Sequence, residues 1–188
     1  GRELLLTRGY FLPPEKDSSL YHHNLMASMV SASFELAAFD NFVGTGELWK
    51  GFPAETKSRK HPFAFPVTIQ HEGQTSSKKF LRGDVLPIAL KRNGKQINIL
   101  SIEIDEGTEP LLRAHLDDGT SVGEKILGYY DFIRNQMHEE LYGFENSLIL
   151  FITNSEKRKR GIVATVNRLV GKCSFIAVQA QPAITPTR

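Results

Sequence analysis

A chain of 188 residues with 40% hydrophobic content suits one domain with a full core, and excludes a disordered tail or a disulfide scaffold. Its net charge of +2 is too small to demand nucleic acid as a partner, so any basic surface must come from local clustering. The single Cys173 excludes an intrachain disulfide and a cysteine-built metal site and fits a reducing, cytoplasmic setting; no apolar run approaches the roughly 18 residues that span a bilayer.

In chain order, residues 1–19, with Glu3-Leu4-Leu5-Leu6 and then the Pro13-Pro14 pair, read as the end of an element followed by a linker. Because the chain opens Gly-Arg with no Met, it is expected to be a fragment whose upstream domain is missing. Leu20 to Phe39 shows apolar recurrence near helical spacing (Leu25, Met29, Leu36; Met26, Val30, Ala37), with Glu35 beside the stripe. Glu47 to Lys50 is expected as a short strand. Thr56 to His61 reads as surface loop, whose Lys57, Arg59 and Lys60 are either solvated charge or phosphate contacts. Phe65 to His71 and Lys78 to Arg82 suggest a hairpin.

The stretch Leu81 to Asp105 carries the most information. Asn93-Gly94 is a hairpin signal because both positions tolerate positive φ, so two antiparallel strands flank it. On the second strand, period two puts Ile97, Ile99, Ser101, Glu103 and Asp105 on one face and Leu100, Ile102 and Ile104 on the other. Apolar residues on both faces imply a central, doubly covered strand. Pro87 cannot donate to a ladder, so irregularity is expected there. Beyond the polar Asp117–Thr120 loop, Val122, Ile126, Tyr129, Tyr130, Ile133 and Met137 mark a helix, with Ser121 and Glu124 at capping-box spacing. Ser147 to Ile152 reads as a buried strand, Ser155 as the cap of a helix ending before Gly171, and Ser174 to Val178 as a last strand. Residues 181–188, with Pro182 and Pro186, are expected to form a flexible tail. The sum is an α/β fold: a central mixed β-sheet flanked by helices, antiparallel at the hairpin and parallel where helices cross over.

Pairing across the Asn-Gly turn brings Asp84, Glu103 and Asp105 to one end of the sheet. Clustered carboxylates repel unless neutralised, and hard oxygen ligands without Cys or His suit Mg²⁺ or Mn²⁺; strand-end acids paired with nearby Lys or Arg are the alternative. Lys157-Arg158-Lys159-Arg160 lies near a helix start, where it is either an exposed basic turn or a DNA-binding, phosphate-facing tract. Tyr129 and Tyr130 read as core, and His22-His23 as helix-start residues.

The order helix with an acid, strand, Gly83-Asp84-Val85-Leu86-Pro87-Ile88, Asn-Gly turn, Ile102-Glu103-Ile104-Asp105 and helix resembles the PD-(D/E)XK superfamily, with its restriction-endonuclease-like core. More narrowly, SIEIDEGTE at 101–109, GEKILGYY at 123–130 and LILFITNS at 148–155 are similar to replication-relaxation-type proteins of plasmids and mobile elements. The likeness covers residues 20–180. It implies a DNA-processing domain using Mg²⁺ or Mn²⁺, with Asp84 and Glu103 as metal ligands. DNA is the implied partner, and a protein of the same mobile element a further one. The usual lysine two residues after the second acid is replaced by Asp105, a third acid, and Lys125 is the candidate to supply the ammonium from the next helix. Glu35 matches a further acid sometimes found on the first helix, and Gly83 stands where a proline is usual. The alternative is a catalytically degenerate nuclease fold serving as a DNA-binding or protein-docking module.

Overall fold

The computed structural model of the protein describes residues 18–38, 40–76, 79–92, 96–115 and 120–180. The Asn93-Gly94 turn, most of the Asp117–Thr120 loop, the linker up to residue 17 and the tail from 181 lie outside them. In chain order the elements are α1 (Ser18–Ala37), β1 (Phe42–Val43), α2 (Thr45–Gly51), α3 (Ala54–Ser58), β2 (Phe65–Val67), β3 (Gln70–His71), β4 (Gln74–Thr75), β5 (Lys79–Leu81), β6 (Val85–Arg92), β7 (Gln96–Asp105), α4 (Val122–Arg134), α5 (Met137–Tyr142), β8 (Asn146–Thr153), α6 (Glu156–Val170) and β9 (Ile176–Ala180).

The fold is mixed α/β, with a five-stranded sheet in the order β1-β6-β7-β8-β9. Strand β7 is central. Its Ile99 enters one core with Val122, Ile126, Tyr129 and Phe132 of α4 and Ile162 and Val166 of α6. Its Leu100, Ile102 and Ile104 enter a second core with Met26, Val30 and Phe34 of α1. Two sets of side chains alternating along one strand thus fasten helices to opposite sheet faces. Burying each such aliphatic side chain contributes roughly 1.5–3 kcal/mol.

Strands β6 and β7 pair antiparallel, whereas β7–β8 and β8–β9 pair parallel, with α4 and α6 in the crossovers. The register of β6 shifts between Val85 and Ile88, around Pro87, whose carbonyl accepts from Thr45 Oγ1 at 2.7 Å. The missing proline N–H is the physical cause expected for such an irregularity. Both helix caps are built as the sequence suggests: the Ser121 hydroxyl accepts from the Glu124 N–H and the Ser155 hydroxyl from the Arg158 N–H. The expected hairpin is more elaborate: β2 pairs with β5, and β3–β4 nests inside it. That inner turn closes at Glu72 (φ 48°) and Gly73 (φ 77°), both left-handed as a two-residue type I′ loop requires.

Three elements depart from expectation. Residues 47–50 are helical, not extended, because the Gly44 carbonyl accepts from the N–H groups of Glu47 and Leu48 and starts α2. Thr56, read as loop, is 1% exposed in α3 and donates to the Leu141 carbonyl at 2.6 Å. The long helical pattern from Val122 stops at Arg134; Gln136 turns left-handed (φ 57°), and Met137 belongs to the separate α5.

Candidate active site

Asp84 stands one residue before β6 and is fixed to the end of β7. Its N–H donates to the Ile102 carbonyl at 2.9 Å, and its Oδ2 accepts from the Ile104 N–H at 2.8 Å. Its other oxygen lies 3.1 Å from Nε2 of His23 on α1. Gly83 allows this approach, since a Cβ there would sit 3.2 Å from the Ile102 oxygen and 3.3 Å from that of Val85.

Glu103, on the neighbouring strand, is 3% exposed. Helix α4 meets it with two residues one turn apart: the Tyr129 hydroxyl donates to Oε1, and Lys125 Nζ lies 3.1 Å from Oε2. Lys125 and Oε2 form a buried ion pair in which both charge and hydrogen bonding act on Glu103. Burial pushes the Glu103 carboxyl up to about 8; Lys125 pulls it down, Asp84 pushes it further up and the Tyr129 hydroxyl pulls it down. Burial works against the Lys125 ammonium, but attraction by Glu103, Asp84 and Glu109 outweighs it and holds its pKa above the usual lysine value. Burial and the adjacent Glu103 charge raise the Tyr129 phenol well above its ordinary value, so the hydroxyl stays a donor.

Glu109 completes the group, with Oε2 3.2 Å from Lys125 Nζ. It was not singled out from the sequence, although it ends the 101–109 motif. His23, which reads as a helix-start residue, and Tyr129, which reads as core, both reach the site as well. The i, i+4 spacing of Lys125 and Tyr129 was the available signal for the latter.

Asp105 does not join this group as an open third acid. It is 7% exposed and clamped by Arg158 of α6, whose Nε and Nη2 lie 2.7 Å from Oδ2 and 2.8 Å from Oδ1; Thr153 Oγ1 donates to Oδ2 at 3.1 Å. The same guanidinium donates to the Glu109 carbonyl. Arg158 is therefore a half-buried structural partner, committed to Asp105, and not a free phosphate contact. Its neighbours Lys157 and Arg160 are exposed, and Lys159 leans towards Glu156 at 3.7 Å. Glu35 is not brought to the corner either: it is exposed, 12 residues beyond His23, or about 18 Å along the helix axis. Lys57 and Arg59 make local contacts, to the Lys50 carbonyl and the Glu55 carboxylate; Lys60 is exposed.

Among the described residues, no group of three or more His, Cys, Asp and Glu converges as ligands. Two carboxylates are therefore the most protein donors of that kind that a cation could find at this corner. Glu103 Oε2 is buried and faces the Lys125 ammonium 3.1 Å away, a position that suits positive charge, and Mg²⁺ characteristically takes one or two carboxylates and keeps several waters. A cleft of about 390 Å³ beneath residues 68–71 and against α4 and α6 includes none of these groups. Among the described residues, no helix is long and apolar enough to cross a membrane. No protein-family model matches the chain, and neither the curated proteins nor the solved structures include a significant match.

Proposed function

We propose that this domain is a restriction-endonuclease-like, DNA-processing module that hydrolyses phosphodiester bonds with a divalent cation. The observation that supports it best is the meeting of Asp84, Glu103 and Lys125, from two neighbouring strands and the following helix, at one end of the sheet. The resemblance of residues 101–109, 123–130 and 148–155 to replication-relaxation-type proteins suggests a setting in mobile-element replication, transfer or transposition.

In this reading Asp84 and Glu103 hold Mg²⁺ or Mn²⁺, which, when bound, polarises the phosphodiester and makes hydroxide available near neutral pH. Lys125 supplies the positive charge that orients the attacking water and balances the developing negative charge on phosphoryl oxygens. Glu109 gives that ammonium a second anchor, 3.2 Å from Nζ, so Lys125 is held from two sides. Lys157 and Arg160, exposed on the first turns of α6 beside Arg158, hold the DNA backbone.

A second reading is favoured by one feature: Lys125 and Arg158 already neutralise Glu103, Glu109 and Asp105 from within. A corner so compensated suits a nuclease fold kept for DNA binding or protein docking. Incubating supercoiled plasmid with the protein in Mn²⁺ separates the two. Nicking by the wild type and none by Asp84→Asn supports hydrolysis. Salt-sensitive DNA binding without nicking supports the second reading.

A further inference from the structure

The two oxygens of Glu103 are treated differently by the fold. Oε1 receives the Tyr129 hydroxyl, while the buried Oε2 lies 3.1 Å from the Lys125 ammonium. Tyr129 is 0% exposed, and its ring packs near Phe65 at 5.6 Å and Phe151 at 6.4 Å between centroids. A phenylalanine would fill that space equally well. What tyrosine adds is one hydroxyl in the core, and that hydroxyl is spent on the candidate ligand.

We infer that Tyr129 is a positioning residue of the candidate site: by donating to Oε1 it fixes the Glu103 carboxylate so that Oε2 is the oxygen presented to a divalent cation. The inference rests on the proposed function, because it assigns a role within the same site. A carboxylate side chain has rotatable bonds that must be frozen for ligation, and a partner outside the ligand set that freezes them typically contributes 10–100-fold to metal affinity. Lys125 approaches the other oxygen, 3.1 Å from Oε2, so it does not take the place of the Tyr129 hydroxyl on Oε1. Tyr142 is a matched control. It is also buried, at 2% exposure, and packs against Phe132, but it makes no contact with Glu103 among the described residues.

The test is Mn²⁺ alone, titrated calorimetrically into wild type, Tyr129→Phe, Tyr142→Phe and Asp84→Asn, each checked for a cooperative thermal transition. The expected result is measurable binding by wild type and Tyr142→Phe, binding weaker by 10–100-fold in Tyr129→Phe, and none in Asp84→Asn. Equal affinity in wild type and Tyr129→Phe overturns the positioning role and leaves the proposed function standing. No Mn²⁺ binding by folded wild type overturns both. Should Tyr129→Phe fail to fold, a fluorinated tyrosine at position 129 keeps the shape and makes the hydroxyl more acidic. A shift of about threefold or more in Mn²⁺ affinity then supports the role, and an unchanged affinity overturns it.

Discussion

Arg158 meets Asp105 side-on, with two guanidinium nitrogens 2.7 and 2.8 Å from the two carboxylate oxygens, and thereby ties the first turn of α6 to the end of the central strand. The pair is largely buried, the side chains being 17% and 5% exposed. Removing one partner of such a pair leaves the other charge uncompensated, which typically costs about 3–5 kcal/mol. Arg158→Ala should accordingly lower unfolding stability by about 3 kcal/mol in urea titration. Asp105→Asn should cost less, because Asn can still accept from Arg158 and the residual charge lies at the more exposed end. A change within about 0.5 kcal/mol for Arg158→Ala would place the pair among exposed ion pairs of no consequence.

The Glu103 carboxyl gives stability a defined pH dependence. Its folded pKa of about 8 lies above the ordinary 4.5, so the folded state binds this proton more tightly. The associated stability is fully present below about pH 4.5, is lost as pH rises through about 8, and is at most roughly 5 kcal/mol. Lys125, raised above the usual lysine value, contributes stability that is fully present throughout this window and is lost only above the ordinary lysine pKa, so it adds no slope here. Glu103→Gln should flatten the wild-type decline between pH 5 and 8 in thermal melts. Since a cation must displace the same proton, stabilisation by Mg²⁺ should grow from pH 6 to pH 9. A Mg²⁺ effect independent of pH would exclude Glu103 as its ligand.

Lys157 and Arg160 are the members of the basic tract left exposed once Arg158 is committed to Asp105 and Lys159 leans towards Glu156. Replacing both with Ala should reduce the slope of log affinity for duplex DNA against log salt by about 2, one for each lost phosphate contact. Unfolding stability should stay within about 0.5 kcal/mol, as both side chains are at the surface. An unchanged slope would remove α6 from the DNA-binding face.

The strands and caps were legible because each rests on local chemistry. The alternation through Ile97–Asp105 needs only period two, and the Ser121 and Ser155 caps need only a hydroxyl at the right offset. Residues 47–50 misled because Glu-Leu-Trp-Lys alternates over too few positions to separate strand from helix; a carbonyl three residues earlier decided it. At the site, the convergence of Asp84 and Glu103 followed from the hairpin. The use of Arg158 could not be read, since it depends on how α6 returns across β8, 53 positions further along the chain. Tyr129 was read as core and is core, yet its hydroxyl serves the site; apolar periodicity registers the ring and is blind to the oxygen.

Lys125 separates cation binding from chemistry. Its ammonium lies 3.1 Å from Glu103 and 3.2 Å from Glu109, and it feels the Asp84 charge as well. Lys125→Met keeps much of the side-chain volume and removes the charge. Mn²⁺ affinity should then hold or rise, because a resident positive charge no longer opposes the incoming cation. Plasmid nicking should fall by about 100-fold or more, the typical loss when one electrostatic stabiliser of a transition state is deleted. Calorimetry and the nicking assay on the same preparation read the two effects independently. Loss of Mn²⁺ binding with nicking would mean that Lys125 only shapes the corner, and nicking at the wild-type rate would mean that the charge stabilising the transition state comes from elsewhere.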